Sequence, residues 1–261
     1  MGDAMSDLQA STLFCPICRA ERDQLSDECR QCGIIFAKYK PLPRPSAPTV
    51  HAVALQVPDR TGWIGGLWLD LKRLAFAVDE STSPVVLGGR AVAFVVLLVW
   101  GWKLMSASIA SNYVGESFMH LINLPFHEAG HIFFTPLGRF LQVIGGSLGQ
   151  LMMPLICVGA FLIQQRNPFG ASVSLWWCGE SLLDLAPYID DARALDLVLI
   201  GGVTGKDVED YHDWEYILRT VGWLQYDHLV ATIAHRMGTA LMVGALVWAA
   251  WLLIQQSKRL G

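Results

Sequence analysis

The pentapeptide His127-Glu128-Ala129-Gly130-His131 puts two imidazoles and a carboxylate inside an apolar stretch. On a helix, residues four apart share a face, so His127 and His131 can reach one tetrahedral zinc while Glu128 stays free to take a proton from the water the metal activates. A chance match in a chain with seven histidines is expected about once in a hundred such chains. The competing reading, a helix with two core histidines, leaves a glutamate among Leu121, Ile122, Leu124, Phe126, Ile132 and Phe133 with no partner. A bound cation supplies that partner, so the local pattern points to a metallohydrolase centre.

Two histidines leave a zinc enzyme one protein ligand short, with the fourth position kept for water. Glu180 and Asp184 stand four residues apart in the otherwise uncharged run from Ala171 to Ile189, and on a helix they face the same way. Either acid can ligate; with Glu180 on the metal, Asp184 would accept a hydrogen bond from the outer nitrogen of a ligand histidine and fix its tautomer. Asp190 and Asp191 rank behind them. A structural pairing with Lys103 or a helix end is the non-catalytic alternative for these acids. The E-xxx-D arrangement resembles the second half of the gluzincin metallopeptidase signature. Further along, Tyr211 and His212 in the run Tyr211-His212-Asp213-Trp214 are candidate stabilisers of an oxyanion, against the simpler reading of a solvated loop histidine.

A second metal pattern lies near the amino terminus. Cys15-Pro-Ile-Cys18 and Cys29-Arg-Gln-Cys32 are two CxxC pairs, each able to form a tight knuckle with both thiolates on one ion. Four thiolates close the shell and leave no position for chemistry, so this zinc is structural. Gly33 suits the left-handed turn after the second pair. From about Phe14 to Tyr39 the segment resembles a zinc ribbon. No secretory signal precedes it, which favours thiolates over disulfides and a cytoplasmic amino terminus.

The elements that must hold the His-Glu-His group are apolar to an unusual degree. With 53% hydrophobic and only 16% charged residues, the 261-residue chain reads as a membrane protein. Runs suited to spans are Ala91 to Ala110, Leu141 to Ile163, Ala171 to Ile189 and Met237 to Ile254, and the motif segment Phe118 to Leu137 either spans or enters partway. Gly145 with Gly149, and Ala240 with Gly244, form the small-residue steps that let membrane helices pack closely. The expected fold is mainly α, a multi-pass helical bundle of four or five spans preceded by the small zinc ribbon. Residues 1–40 form the ribbon, 41–62 a proline-rich linker, 63–83 an amphipathic interfacial helix, and 84–261 the membrane domain. The charges flanking the spans put the amino terminus inside and leave the side of the carboxyl terminus open.

HExxH in an apolar segment, followed by later spans carrying an acid, resembles the site-2 protease family of intramembrane zinc metalloproteases, over about Leu121 to Asp191. The resemblance implies an aspartate as third ligand, for which Leu183-Asp184 is the nearest match; Leu185 stands where that family has glycine, and no PDZ insertion is recognisable. It also implies hydrolysis of peptide bonds in or near the bilayer; with Glu128 as the general base that the motif offers and the ribbon's ion counted, two zinc ions per chain are expected, one catalytic and one structural.

The partners that follow are a membrane protein or peptide substrate, the lipid bilayer, and a protein recruited through the ribbon. With a net charge of -4 and no basic run, nucleic acid is not expected. Two other classes stand beside the peptidase. One is a non-enzymatic membrane scaffold or regulator with a structural metal. The other is a membrane di-iron desaturase or hydroxylase, for which the chain lacks an HxxHH cluster and, with His51 in the linker, has too few histidines.

Overall fold

The computed structural model describes residues 14–15, 17–18, 20–21, 26–38, 63–78 and 83–260, with side chains in the first helix described from residue 69 onward. His51 and the whole of the proline-rich linker, 41–62, lie outside the described residues. The chain divides into two compact units, Met1–Val57 and Pro58–Gly261.

In the first unit the two CxxC knuckles have the same local design. Cys15 N–H donates to Ala20 O at 2.8 Å, and Cys29 N–H donates to Ile34 O at 2.9 Å. Each turn is closed by an isolated antiparallel bridge, Phe14 with Glu21 and Glu28 with Ile35. Gly33 takes a φ of 71°, the left-handed conformation its position requires.

The second unit is helical. Its helices are α1 (Trp63–Ala75), α2 (Pro84–Ser106), α3 (Phe118–Phe134), α4 (Arg139–Gly159), α5 (Pro168–Asp190), α6 (Asp213–Thr220) and α7 (Asp227–Leu260). Local sequence starts the long ones. Ser83 caps α2 by accepting from Val86 N–H, and Asn167 caps α5 by accepting from Gly170 N–H, with proline at the first helical position of both. At its end α4 widens into a π turn, Ala160–Gln164.

Among the described residues, three segments are long and apolar enough to cross a membrane: Pro84–Ser106, Arg139–Gln164 and Leu224–Leu260. Helix α5 matches the shortest of them in length but is less apolar, with Glu180 and Asp184 along it, and it differs in position. Most of its side chains are buried, among them Trp176, Glu180, Leu183 and Asp184, so it forms the centre of the bundle. Helix α3 has 17 residues, and at 1.5 Å per residue it is about 25 Å long, short of a typical hydrocarbon core.

Glycines set the closest approaches. A Cβ on Gly179 would meet Gly238 O at 2.7 Å, and one on Gly238 would meet Gly179 O at 2.4 Å, which lets α5 and α7 run against each other. Gly145 and Gly149 of α4 pack on α3 as their spacing suggests, with Gly130 opposite. The Ala240 and Gly244 step does not pack: both residues are exposed, and a Cβ on Gly244 would meet nothing from another element within 4 Å. The buried face of α7 in that stretch carries Gly238, Met242 and Ala245 instead.

The end of α1 docks on α7. Trp248 Nε1–H donates to Ala75 O at 3.0 Å, and the Phe76 ring meets Trp251 edge-on at 5.1 Å. This contact ties the amphipathic segment to the C-terminal half of the longest helix.

Candidate metal centres

In the ribbon unit the four thiols converge. The Sγ atoms of Cys15 and Cys32 lie 3.6 Å apart and those of Cys18 and Cys29 3.5 Å, and all four fall within 4.8 Å of one another. Those separations are too long for disulfides and suit four ligands on one tetrahedral ion. The backbone N–H of Cys18 is foremost in lowering the Cys15 thiol to about 6. Cys32 goes the other way: against the pull of Ile34 N–H, burial and the neighbouring thiols push it up to about 12. Crowded thiols cannot all ionise without a counter-charge, and a divalent ion supplies it.

In the helical unit, α3 carries His127 and His131 one turn apart, with their rings 4.9 Å between centroids. Gly130 between them lets α4 come close; a Cβ there would stand 2.0 Å from Gly145 O. The carboxylate that meets both imidazoles is Asp213. Its Oδ2 lies 3.0 Å from His127 Nε2 and 3.1 Å from His131 Nε2.

Each imidazole is held from behind. His131 Nδ1 lies 2.9 Å from the backbone oxygen of Gln142, which can only accept. His127 Nδ1 lies 3.2 Å from Gln150 Oε1. The Gln150 amide cannot turn over freely, because its Nε2 donates to Asp184 Oδ2 at 2.9 Å. Both Nδ1 atoms therefore carry the proton, and both Nε2 lone pairs face Asp213 Oδ2. Three acceptors pointed at one another need protons or a metal ion between them. Their spacing of 3.0 and 3.1 Å compares with about 3.3 Å between ligands on a tetrahedral zinc.

Asp213 reaches the imidazoles through its position at the start of α6. His212 caps that helix, its Nδ1 accepting from Glu215 N–H at 3.1 Å. Asp213 N–H donates to the Tyr188 hydroxyl at 2.9 Å, and the Tyr188 ring packs on His212 at 4.3 Å. The space beside the three ligand atoms is lined by a glycine. A Cβ on Gly146 would stand 2.5 Å from Nε2 of both histidines, in the room an ion would take.

A cavity of about 400 Å³ opens onto this group, lined by His127, Glu128, His131 and Asp213 and bordered by Arg139, His120 and the apolar run from Leu197 to Ile200. Glu128 is exposed to it, with a carboxylate oxygen within 4.8 Å of the imidazole nitrogens. Its carboxylate has no hydrogen-bond partner among the described residues, which leaves it available to a water in the cavity.

The other sequence candidates do different work. Glu180 and Asp184 are 0% and 6% exposed, and their hydrogen bonds go to Asn123, Gln150 and His120 rather than to His127 or His131. Asp184 supports His127 through Gln150, one residue further out than a direct bond. His212 is a buried helix cap with its Nε2 3.4 Å from Asp191, so it does not face the cavity as an oxyanion partner. Tyr211 lines the cavity, but its hydroxyl donates to Ile200 O at 2.9 Å. Asp190 pairs with His228, and Asp191 accepts from the backbone of Asp196 and Leu197. Lys103 is exposed on α2 and has no ion pair with these acids.

Sequence reasoning missed Asp213, Gln150 and His120. Asp213 stands in the run singled out for His212, but that run reads as a polar loop in the sequence, and acids in apolar helices are the stronger ligand candidates there. Gln142 contributes only a backbone oxygen, for which no sequence signal exists. No family model, no curated protein and no solved structure matches this chain.

Proposed function

We propose that this chain is a membrane-embedded zinc metallopeptidase that hydrolyses peptide bonds in or near the bilayer. The observation that carries the reading is the convergence of His127 Nε2, His131 Nε2 and Asp213 Oδ2 at the wall of a cavity that Glu128 also faces. Two imidazoles and one carboxylate form a three-ligand zinc set with the fourth position open. Asp213 takes the place that sequence reasoning gave to Glu180 or Asp184. The ribbon cysteines hold a second, structural zinc.

A zinc ion held by His127, His131 and Asp213 would supply Lewis acidity and an activated water. Glu128, facing the cavity, would take a proton from water there and return it to the departing amine. Gln150 and the Gln142 carbonyl keep both histidines in the tautomer that offers Nε2. Three long apolar segments anchor the enzyme, and we read α5 and α3 as enclosed within the same bilayer region. A substrate segment enters unwound, because a helical backbone shields its carbonyls. The ribbon lies on the cytoplasmic side and recruits or regulates.

The test is metal content and cleavage in purified, lipid-reconstituted protein. Two zinc ions per chain are expected, one lost in Asp213→Ala and the other in Cys29→Ser. Glu128→Gln keeps both ions and loses cleavage of a membrane segment. Persistent cleavage in Glu128→Gln overturns the mechanism. A wild-type protein that binds both ions and cleaves nothing favours the scaffold reading instead.

A further inference from the structure

The cavity holds a second polar group that the hydrolytic mechanism does not use. His120 lines it, its side chain 37% exposed, while the Asp184 side chain beside it is only 3% exposed. His120 Nδ1 lies 2.9 Å from Asp184 Oδ1. That carboxylate also accepts from Asn123 Nδ2 at 3.0 Å and from Gln150 Nε2 at 2.9 Å. Three donors on one buried carboxylate fix the imidazole by one edge. The ring's other nitrogen, Nε2, has no partner among the described residues and is the atom left for a ligand.

The distance along α3 says which part of a substrate it meets. His120 precedes His127 by seven residues, so the two lie about 10.5 Å apart along the helix axis, on the same face. An extended peptide advances about 3.3 Å per residue, and that interval corresponds to three residues. A peptide with its scissile bond at the His127 and Glu128 end would bring a side chain three positions away to His120.

We propose that His120 forms a specificity subsite for an amide side chain, glutamine or asparagine, three residues from the cleaved bond. An amide can accept from a protonated ring or donate to a neutral one, so it suits Nε2 in either state. A carboxylate is disfavoured because Glu128, Asp184, Asp210 and Asp213 line the same cavity and outnumber the positive charges of Arg139 and a bound divalent ion taken together. An apolar side chain would leave Nε2 desolvated and unpaired. This inference rests on the peptidase reading above.

The experiment uses the full chain in lipid and a set of transmembrane model segments of alanine and leucine, about 20 residues long, carrying glutamine or leucine at each position around the cleavage site. In the wild type, glutamine at one position three residues from the cut raises kcat/KM about 3- to 10-fold over leucine, mainly through KM, as one neutral hydrogen bond would. Two variants separate the subsite from a structural role. His120→Gln places an amide where Nε2 stood and keeps the preference. His120→Asn keeps an amide against Asp184, removes the group at Nε2, and brings the glutamine-to-leucine ratio near one with zinc content unchanged. The same preference in His120→Asn as in the wild type overturns the subsite, as does a wild-type preference for a basic or acidic side chain there. Cleavage of the segments without any preference removes the subsite alone, whereas zinc-loaded wild type that cleaves none of them removes the peptidase reading with it.

Discussion

Gly146 lies directly beneath His127: a methyl group on its Cα would stand 2.5 Å from the imidazole Nε2, and 2.5 Å from that of His131. Zinc bonds to imidazole nitrogen are about 2.0 to 2.1 Å long, so this methyl would compete for the volume of the ion and its shell. Gly146→Ala is expected to lower zinc affinity at this centre by at least about tenfold, on the scale of lost metal-site support. The ribbon ion stays, so metal analysis should fall from two ions per chain towards one. Two ions retained with unchanged affinity would remove the close approach of α4 from the account of the site.

Gln150 connects the buried acids to the metal ligands. Its Oε1 meets His127 Nδ1, and its Nε2 is tied to Asp184. Gln150→Leu keeps roughly the same volume but removes the acceptor that fixes the imidazole, and a metal affinity about 10- to 100-fold weaker is expected. Asp184→Asn acts one step further out and should have the smaller effect. Competition with a chelator measures both. An effect of Asp184→Asn as large as that of Asp213→Ala would mean that Asp184 is itself a ligand.

Much of this arrangement was legible in the chain. The CxxC pairs and the His-Glu-His group are local patterns, and local patterns survive folding. The apolar runs marked the long described helices, because stretches with so few charges have only the bilayer or the core to enter. What could not be read is which apolar helix faces lipid. Helix α5 is as long as α2 and carries Glu180 and Asp184, but only the packing shows that the other helices enclose it. Small residues misled in the same way: Ala240 and Gly244 have the right spacing, but close approach needs a small partner, and Gly238 has it in Gly179. Asp213 was hidden because its distance in sequence from His131 carries no rule. Only the packing of Tyr188 and His212 under the start of α6 brings it to the imidazoles.

The ribbon should fold with its metal and without the rest of the chain's help. Its described core has two knuckles and two isolated bridges, too little apolar burial for a domain of that size to persist alone. Removing zinc with a chelator, or substituting Cys15→Ser, should expose the remaining thiols to alkylation at rates typical of unfolded chain. The helix signal in circular dichroism stays, since the helical unit is a separate body. Thiols that stay protected after the metal is stripped would count against a structural zinc.

Asp191 fixes the segment that follows α5 along the cavity. Its two oxygens accept from Asp196 N–H at 2.9 Å and Leu197 N–H at 3.0 Å. Burial pushes its carboxyl up, but His212 and those two backbone donors outweigh burial and hold it below the usual aspartate range. A carboxyl lowered by folding contributes stability that is complete above its unfolded value, about 3.9, and is lost as pH falls through the folded one. The Asp196 and Leu197 amides should therefore exchange slowly from pH 8 down to about 5 and lose protection only below about 4. In Asp191→Asn the protection should be weaker by about 1 to 3 kcal/mol across that plateau, because the replacement amide is a weaker acceptor than an ionised carboxylate. Protection that changes between pH 6 and 7 would instead assign the control of this segment to a histidine, with His212 the one in reach of Asp191.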